Sequence, residues 1–107
     1  MSNCVIDKFG NKQWYQNGKL HRDDGPAIEH VYGDKQWWVN GKMHRDDGPA
    51  IEFCSGTKMW YVHDLRHRED GPAIEWHTGT KEWWLNGNQY TEEEFILLQF
   101  TIGIQCA

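Results

Sequence analysis

The sequence contains little of what membrane proteins, nucleic-acid-binding proteins and serine-nucleophile enzymes require. Hydrophobic residues make up only 38% of the 107 residues, and no apolar run is long enough for a transmembrane helix. The 16 acidic residues outnumber the 11 basic ones, and the net charge of -5 argues against direct binding of nucleic acid through a basic face. Serine occurs only at Ser2 and Ser55, so the sequence shows no set of nucleophile, base and orienting group.

Cysteine is also scarce. Cys4, Cys54 and Cys106 are an odd number without close spacing, which is typical of reduced cytosolic thiols and not of a disulfide framework. The first ten residues, MSNCVIDKFG, lack the charged and then apolar pattern of a signal peptide. We therefore expect a single repeat domain over residues 1–107, located in the cytoplasm, or in the host-cell cytoplasm if the protein is viral.

What the sequence does contain is a repeat of 23 residues marked by tryptophan. Each unit has a Trp followed by a second aromatic residue, then a turn dipeptide and, in the first three units, a His-Arg pair and Gly-Pro-Ala. Repetition at a fixed short period predicts an array of stacked units. The aligned frame residues are Trp14, Trp37, Trp60 and Trp83; His21, His44 and His67; Arg22, Arg45 and Arg68; and Pro26, Pro49 and Pro72.

Each unit has the pattern of a β-hairpin. In the second unit, residues 27–31 form a short strand pattern, and Gly33 supplies the positive φ of a turn. Residues 35–39 are rich in aromatic and β-branched residues, and Asn40-Gly41 then predicts a second turn. We therefore predict an all-β fold, a meander of about eight strands in stacked hairpins. The hairpins are expected at about 4–16, 27–39, 50–62 and 73–85.

The spacing of the repeats predicts what lies between the tryptophans. Each unit adds two strands of about 4.8 Å, so equivalent indoles would lie about 10 Å apart, beyond the roughly 4.5–7 Å of paired aromatic rings. The aligned Ile, Pro and Arg side chains are the candidates for the group between them, and we predict that the three arginines cover the indole faces. The same spacing argues against a shared metal, and we expect no metal site. The histidines are expected to form turn hydrogen bonds to backbone or to nearby Asp, with contact to a ligand as the alternative.

The His-Arg-Asp tripeptide at residues 21–23 and 44–46 matches the catalytic loop of protein kinases. The other kinase motifs are missing and the chain is far too short for that fold. An active site also needs one constellation and not several copies. We predict that the protein is not an enzyme and that it needs no cofactor.

The C-terminal part departs from the repeat and has the pattern of a helix. Thr91 followed by Glu94 is a capping box, and the acidic residues between them favour a helix N-terminus. We predict one short α-helix at about 91–102, ending near Gly103. It is expected to cap the open edge of the last strand, with a partner-binding or dimerising helix as the alternative. The first strand, near residues 4–9, has no evident cap, which favours a homodimer.

The pattern Trp-x-x-Asn-Gly-Lys-x-His, with a 23-residue period over residues 4–90, resembles MORN-type repeats. It is most similar to the W-Y-x-N-G-K-x-H-R-x-D-G-P-A variant of bacteriophage and large-virus proteins, some of which are labelled antitoxin-like. The chain departs from the basic pattern in having His-Arg for His-Gly, and from its own in having His63-Asp64 for Asn-Gly. The resemblance implies stacked β-hairpins, no known catalysis, and a role as scaffold, dimeriser or partner-binding surface.

The residues that vary between repeats are the candidates for function. Aromatic side chains at such positions are typical of binding hot spots. We therefore expect a non-enzymatic interaction protein that binds and blocks a host protein such as a defence nuclease, with no membrane partner. A nucleotide-sequestering protein, using Arg and Trp, is one alternative, and an antitoxin-like or scaffold repeat protein is the other. The candidate partner-binding residues are His30, Val31, Tyr32, Phe53, Trp76 and His77.

Overall fold

The computed structural model describes residues 3–106 of the chain and the side chains of residues 3–99. Within these residues it contains fourteen strands followed by one helix, α1 (Glu92–Cys106), which confirms the predicted all-β meander with a C-terminal helix. The strands are β1 (Asn3–Ile6), β2 (Lys12–Gln16), β3 (Lys19–Leu20), β4 (Ile28–Glu29), β5 (Lys35–Gln36), β6 (Trp38–Val39), β7 (Lys42–Met43), β8 (Ile51–Glu52), β9 (Lys58–Met59), β10 (Tyr61–Val62), β11 (Leu65–Arg66), β12 (Ile74–Glu75), β13 (Lys81–Leu85) and β14 (Asn88–Tyr90).

The main sheet is antiparallel and follows the chain from one repeat to the next. Its strand order is β1-β2-β4-β5-β8-β9-β12-β13-β14, and β3 pairs with β2. Two further ladders, β6–β7 and β10–β11, continue the return strands of the second and third repeats. The molecule measures 51 × 31 × 18 Å, so it is long and thin, as a stack of hairpins should be.

Each repeat contains a second, smaller hairpin that the strand pattern did not predict. After the Asn-Gly turn the chain adds a short strand (β3, β7, β11 or β14), which raises the strand number above the expected eight. Asn40 and Gly41 have φ values of 53° and 77°, which is the conformation of a type I′ turn. His63 and Asp64 adopt the same conformation, with φ values of 49° and 72°. Asp64 offsets part of that strain because its Oδ1 accepts the N–H of Met43 at 3.0 Å.

The strand register arranges the side chains in rows across the sheet. One row alternates Lys with Glu from Lys12 onward: Lys35 and Lys58 lie opposite Glu of both neighbouring strands, whereas Lys12 lies between Ile6 and Glu29. Its members are Ile6, Lys12, Glu29, Lys35, Glu52, Lys58, Glu75 and Lys81. The adjacent row contains the isoleucines, of which Ile51 and Ile74 are buried. With three fully buried alanines, Ala27, Ala50 and Ala73, these residues form a thin core.

The helix begins at the predicted capping box and packs on the last repeat. Glu94 N–H donates to Thr91 Oγ1 (3.1 Å), and Thr91 N–H donates to Glu94 Oε1 (2.8 Å). Phe95 is buried, and the helix contacts β13 and β14. The helix continues to Cys106, past the expected end near Gly103, because one Gly inside a helix costs only about 1 kcal/mol. In the described part of the chain, no helix combines the length and apolarity needed to cross a bilayer.

Candidate functional site

The three aligned arginines form the frame that holds each repeat together. Each guanidinium lies over the indole ring of the Trp in its own repeat, which confirms the predicted cation–π contact. Each also donates from Nε to an Asp two residues on, and from Nη1 to a Pro carbonyl and a Glu carboxylate. The guanidinium-to-ring distances are 3.8 Å for Arg22–Trp14, 3.8 Å for Arg45–Trp37 and 3.9 Å for Arg68–Trp60. The carbonyls belong to Pro26, Pro49 and Pro72, and the carboxylates to Glu29, Glu52 and Glu75.

The fourth repeat lacks the frame arginine. The fourth repeat has Trp83, but Thr91 stands one period after Arg68. Thr91 is the helix cap, and α1 takes over the end of the array from that residue onward. The predicted ladder therefore has three arginine–indole pairs for four aligned tryptophans.

The three aligned histidines join each repeat to the next. Nδ1 of His21 accepts the backbone N–H of Asn40 at 2.9 Å, which is in the turn of the following repeat. Because Nδ1 is an acceptor, the neutral ring carries its proton on Nε2, which donates to Asp23 Oδ1 at 2.8 Å. The prediction of turn hydrogen bonds for these histidines is confirmed. The equivalent bonds are His63 N–H to His44 and Asn86 N–H to His67, with His44 Nε2 on Asp46 and His67 Nε2 at 3.5 Å from Glu69.

A second set of bonds joins the repeats along the opposite border of the sheet. We call this border the turn edge and define it as residues 7–11, 30–34, 53–57 and 76–80. A short polar side chain that follows each turn glycine accepts a backbone N–H from the next turn. Sequence reasoning missed this set, although its signal is an acceptor at the same position of every repeat. The pairs are Val31 N–H to Asn11 Oδ1 (2.9 Å), Cys54 N–H to Asp34 Oδ1 (2.7 Å) and His77 N–H to Thr57 Oγ1 (3.0 Å).

All six candidate partner-binding residues lie on the turn edge, in three successive turns. Their backbone is held in place, since the N–H of residues 30, 53 and 76 donates to a carbonyl four residues on. Three of their side chains are exposed and apolar: Val31 is 64%, Tyr32 60% and Trp76 37% accessible. The structure adds Phe9, which is 69% exposed and is aligned with Tyr32 one period earlier.

The remaining candidates have partners within the edge. The His30 ring stacks on Tyr32, with centroids 5.0 Å apart and an interplanar angle of 17°. Phe53 is half-buried, and Nδ1 of His77 lies 3.1 Å from the Thr57 hydroxyl. The turn edge is therefore hydrogen-bonded from turn to turn without a partner, and such preorganisation lowers the entropy lost on binding.

Asp34 shifts the pKa of one thiol on the turn edge, that of Cys54. The hydrogen bond between Cys54 and the Asp34 carboxylate is the main cause that raises the pKa of the Cys54 thiol, with smaller contributions from partial burial and from the Asp34 charge. A raised thiol pKa lowers the thiolate fraction, so this exposed cysteine is a poor nucleophile. Elsewhere, the hydrogen bond from Arg68 lowers the pKa of Asp70.

Two open grooves lie between the His-Arg loops of neighbouring repeats, with volumes of about 790 and 710 Å³. The first has Trp37 and Val39 among its lining residues, which also include the acidic pairs of two successive loops. Those carboxylates are 79–87% exposed in their side chains. The grooves therefore present negative charge to solvent, while the arginines beside them are bonded within the frame.

Comparison with protein-family models, with curated proteins and with solved structures finds no match to this chain.

Proposed function

We propose that this chain is a non-enzymatic protein-interaction module whose partner docks along the turn edge. The observation that supports it most is that the frame residues are bonded to one another, whereas the turn-edge residues expose apolar side chains. The aligned Arg, His and Trp side chains are engaged within the frame. The turn edge, in contrast, displays a line of exposed apolar side chains on a backbone that is hydrogen-bonded from turn to turn.

The arrangement of the histidines argues against catalysis. A general base needs a free ring nitrogen within reach of a substrate proton. In His21 and His44, one nitrogen accepts a backbone N–H and the other donates to an Asp, so both are occupied. The rings therefore act as structural links and have no lone pair to offer to a substrate.

The arginines and the grooves argue against the nucleotide-sequestering alternative. A nucleotide would stack on an indole and present its phosphates to a guanidinium. Arg45 already covers Trp37 at 3.8 Å and bonds to Asp47 and Glu52. The exposed carboxylates that line the groove would also repel a phosphate.

The class of partner that we propose is a protein of the host cytoplasm that the module binds and blocks, such as a nuclease effector. This follows from the resemblance of the repeat to those of phage and large-virus proteins. A flat, preformed apolar edge suits inhibition by steric cover, because binding then needs no rearrangement of the module.

A capture experiment with matched variants tests the proposal. The purified chain is incubated with bacterial lysate, and the bound proteins are quantified by mass spectrometry. We expect one stoichiometric protein that is captured by the wild type and lost from the double variant Val31→Ser/Tyr32→Ser. Leu97→Ser is the control, since Leu97 on α1 has the same exposure (65%) as Val31 (64%) but lies outside the edge.

Two results would overturn the proposal. Equal capture by the edge variant and the control would show that the turn edge is not the docking surface. Release of a nucleotide from the heat-denatured sample, in the absence of a captured protein, would favour the sequestering alternative.

A further inference from the structure

The first strand of the sheet presents an open edge to solvent. In the sheet order, β1 is the terminal strand and pairs with β2. The other end of the order is β14, where α1 packs against the last two strands. The two ends of the array are therefore different, and the N-terminal end is the one without a helix beside it among residues 3–106.

The direction of the outward backbone groups on β1 follows from its neighbour. Trp14 donates its N–H to Ala27 and accepts from His21, so both of its backbone groups point away from β1. Cys4 lies opposite Trp14 and is therefore in a non-hydrogen-bonded pair with it. It follows that the N–H and C=O groups of Cys4, and of Ile6 two residues on, point outward from the sheet.

The side chains of β1 differ from those of its counterparts in the other repeats. At the position of Ile6, the next three repeats have Glu, which lies opposite a Lys of the preceding repeat. Ile6 is 60% exposed, and Val5, which is aligned with the buried isoleucines, is 52% exposed. Natural edge strands are normally protected by charge, proline or cover, and β1 has an apolar pair in place of the charge.

We propose that this edge binds a second copy of the chain by antiparallel pairing of β1 with β1. The outward groups of Cys4 would exchange two hydrogen bonds with Ile6 of the second copy, and the symmetry repeats this for Ile6 and the second copy's Cys4. The two-fold axis then passes between the two Val5 residues. This register uses all four outward groups of Cys4 and Ile6 and continues the sheet across both copies.

The choice of a second copy rests on the chemistry of the edge. Each inner strand equivalent to β1 is covered by a strand with Lys opposite its Glu. Because Ile6 replaces that Glu, its partner needs no positive charge, and in the β1–β1 register Ile6 lies opposite the uncharged Cys4 of the second copy, with Val5 facing Val5 at the centre. Head-to-tail pairing would instead bring β1 against the end where α1 packs on β13 and β14. The symmetric contact is also closed, so it yields a dimer and no filament.

Site-directed cross-linking tests the register. In a background in which Cys4, Cys54 and Cys106 are replaced by Ser, the variant Val5→Cys should form an intermolecular disulfide under mild oxidation. Facing residues of a non-hydrogen-bonded pair have Cα atoms about 4.5 Å apart, which a disulfide can bridge. Ile6→Cys in the same background is the control, because two strands at about 4.8 Å and a two-residue offset place those Cα atoms about 8 Å apart.

Light scattering tests the association itself. The wild type should have a mass of about 25 kDa, twice the 12.7 kDa of one chain. Ile6→Lys should return the mass to that of the monomer, while Ile96→Lys, at a similarly exposed Ile (56%) on the helix, should not. The tryptophan fluorescence spectrum of each variant checks that the repeats remain folded.

Three outcomes would overturn the proposal. The first is a wild-type monomer at high micromolar concentration. The second is a dimer that Ile6→Lys leaves intact in a folded protein. The third is cross-linking of Ile6→Cys without cross-linking of Val5→Cys, which would place the contact in a different register.

Discussion

Replacement of His21 by Ala should destabilise the protein by about 2–3 kcal/mol. The side chain is 7% exposed, and its ring accepts the N–H of Asn40 and donates to Asp23. Each hydrogen bond contributes about 0.5–1.5 kcal/mol net, and the loss of a buried ring adds a packing term. A domain of this size has a free energy of unfolding of about 5–15 kcal/mol, so the change is readily measured.

Two further substitutions separate the two bonds of this histidine. In His21→Asn the amide oxygen can replace Nδ1 as the acceptor for the next repeat. In His21→Gln the side-chain amide can replace Nε2 as the donor to Asp23. We expect Asn to restore more stability than Gln, because Asp23 is 79% exposed in its side chain and water can replace the bond to it.

The assay is equilibrium unfolding in urea, followed by tryptophan fluorescence. The alanine variants should rank His21, then His44, then His67, because their side-chain exposures are 7%, 12% and 16%. The longer contact of His67 to its acidic neighbour, 3.5 Å, acts in the same direction. A loss below about 0.5 kcal/mol for His21→Ala, the size of an ordinary surface change, would refute the assignment of this residue to the frame.

Three more predictions follow from the same contacts. Arg45→Lys should lower the free energy of unfolding in urea by about 1–2 kcal/mol. The ammonium keeps the charge but cannot cover Trp37 and also bond to the Pro49 carbonyl and the Glu52 carboxylate as the guanidinium does. An unchanged unfolding midpoint would contradict this prediction. Asp34→Asn should speed the alkylation of Cys54 at pH 8, because it removes the carboxylate that raises the thiol pKa but keeps an acceptor for the Cys54 N–H. The rate is measured by peptide mass spectrometry, and an unchanged rate would show that Asp34 does not raise the pKa of this thiol. Because the pKa of Asp70 is lowered in the folded protein, its ionised carboxylate stabilises the fold above the unfolded carboxyl pKa of about 3.9, and this stabilisation is lost as the pH falls through the folded pKa. Asp70→Asn should therefore destabilise the protein at pH 7 and have less effect at pH 3. An equal loss of stability at both pH values would exclude the ion pair with Arg68.

The sequence predicted those structural features that are marked by one residue type at a fixed spacing. The tryptophan period predicted the stacking of hairpins, and the roughly 10 Å spacing predicted that another group lies between the indoles. The structure places an arginine over the aligned Trp of the first three repeats. The capping box at Thr91 predicted the helix start because both of its hydrogen bonds are local.

The features that it missed are either too short or too varied to leave a pattern. Strands of two residues, such as β7, show no alternation of polar and apolar side chains. The bonds along the turn edge use Asn, Asp and Thr at one position, so the shared acceptor is hidden by the change of residue. The open edge at β1, by contrast, was expected from the sequence, and the 60% exposure of Ile6 agrees with β1 having no strand on its outer side among the described residues.

The candidate site was placed on one border of the sheet by the strand register. Variation between repeats selected residues 30–32, 53, 76 and 77, and the register brings all of them to the turn edge. Phe9 was not selected, although it is aligned with Tyr32. The structure shows that the Phe9 side chain is exposed beside the next turn, where Gly10 closely approaches Val31.

In the proposed function, the turn edge contacts a partner while the His-Arg loops only hold the frame. Hydrogen–deuterium exchange of the chain, alone and in complex with its captured partner, distinguishes these two surfaces. We expect added protection in residues 30–34, 53–57 and 76–80, and unchanged exchange in residues 21–26, 44–49 and 67–72. Protection of the loops without protection of the turns would contradict the claim and would move the binding surface to the acidic grooves.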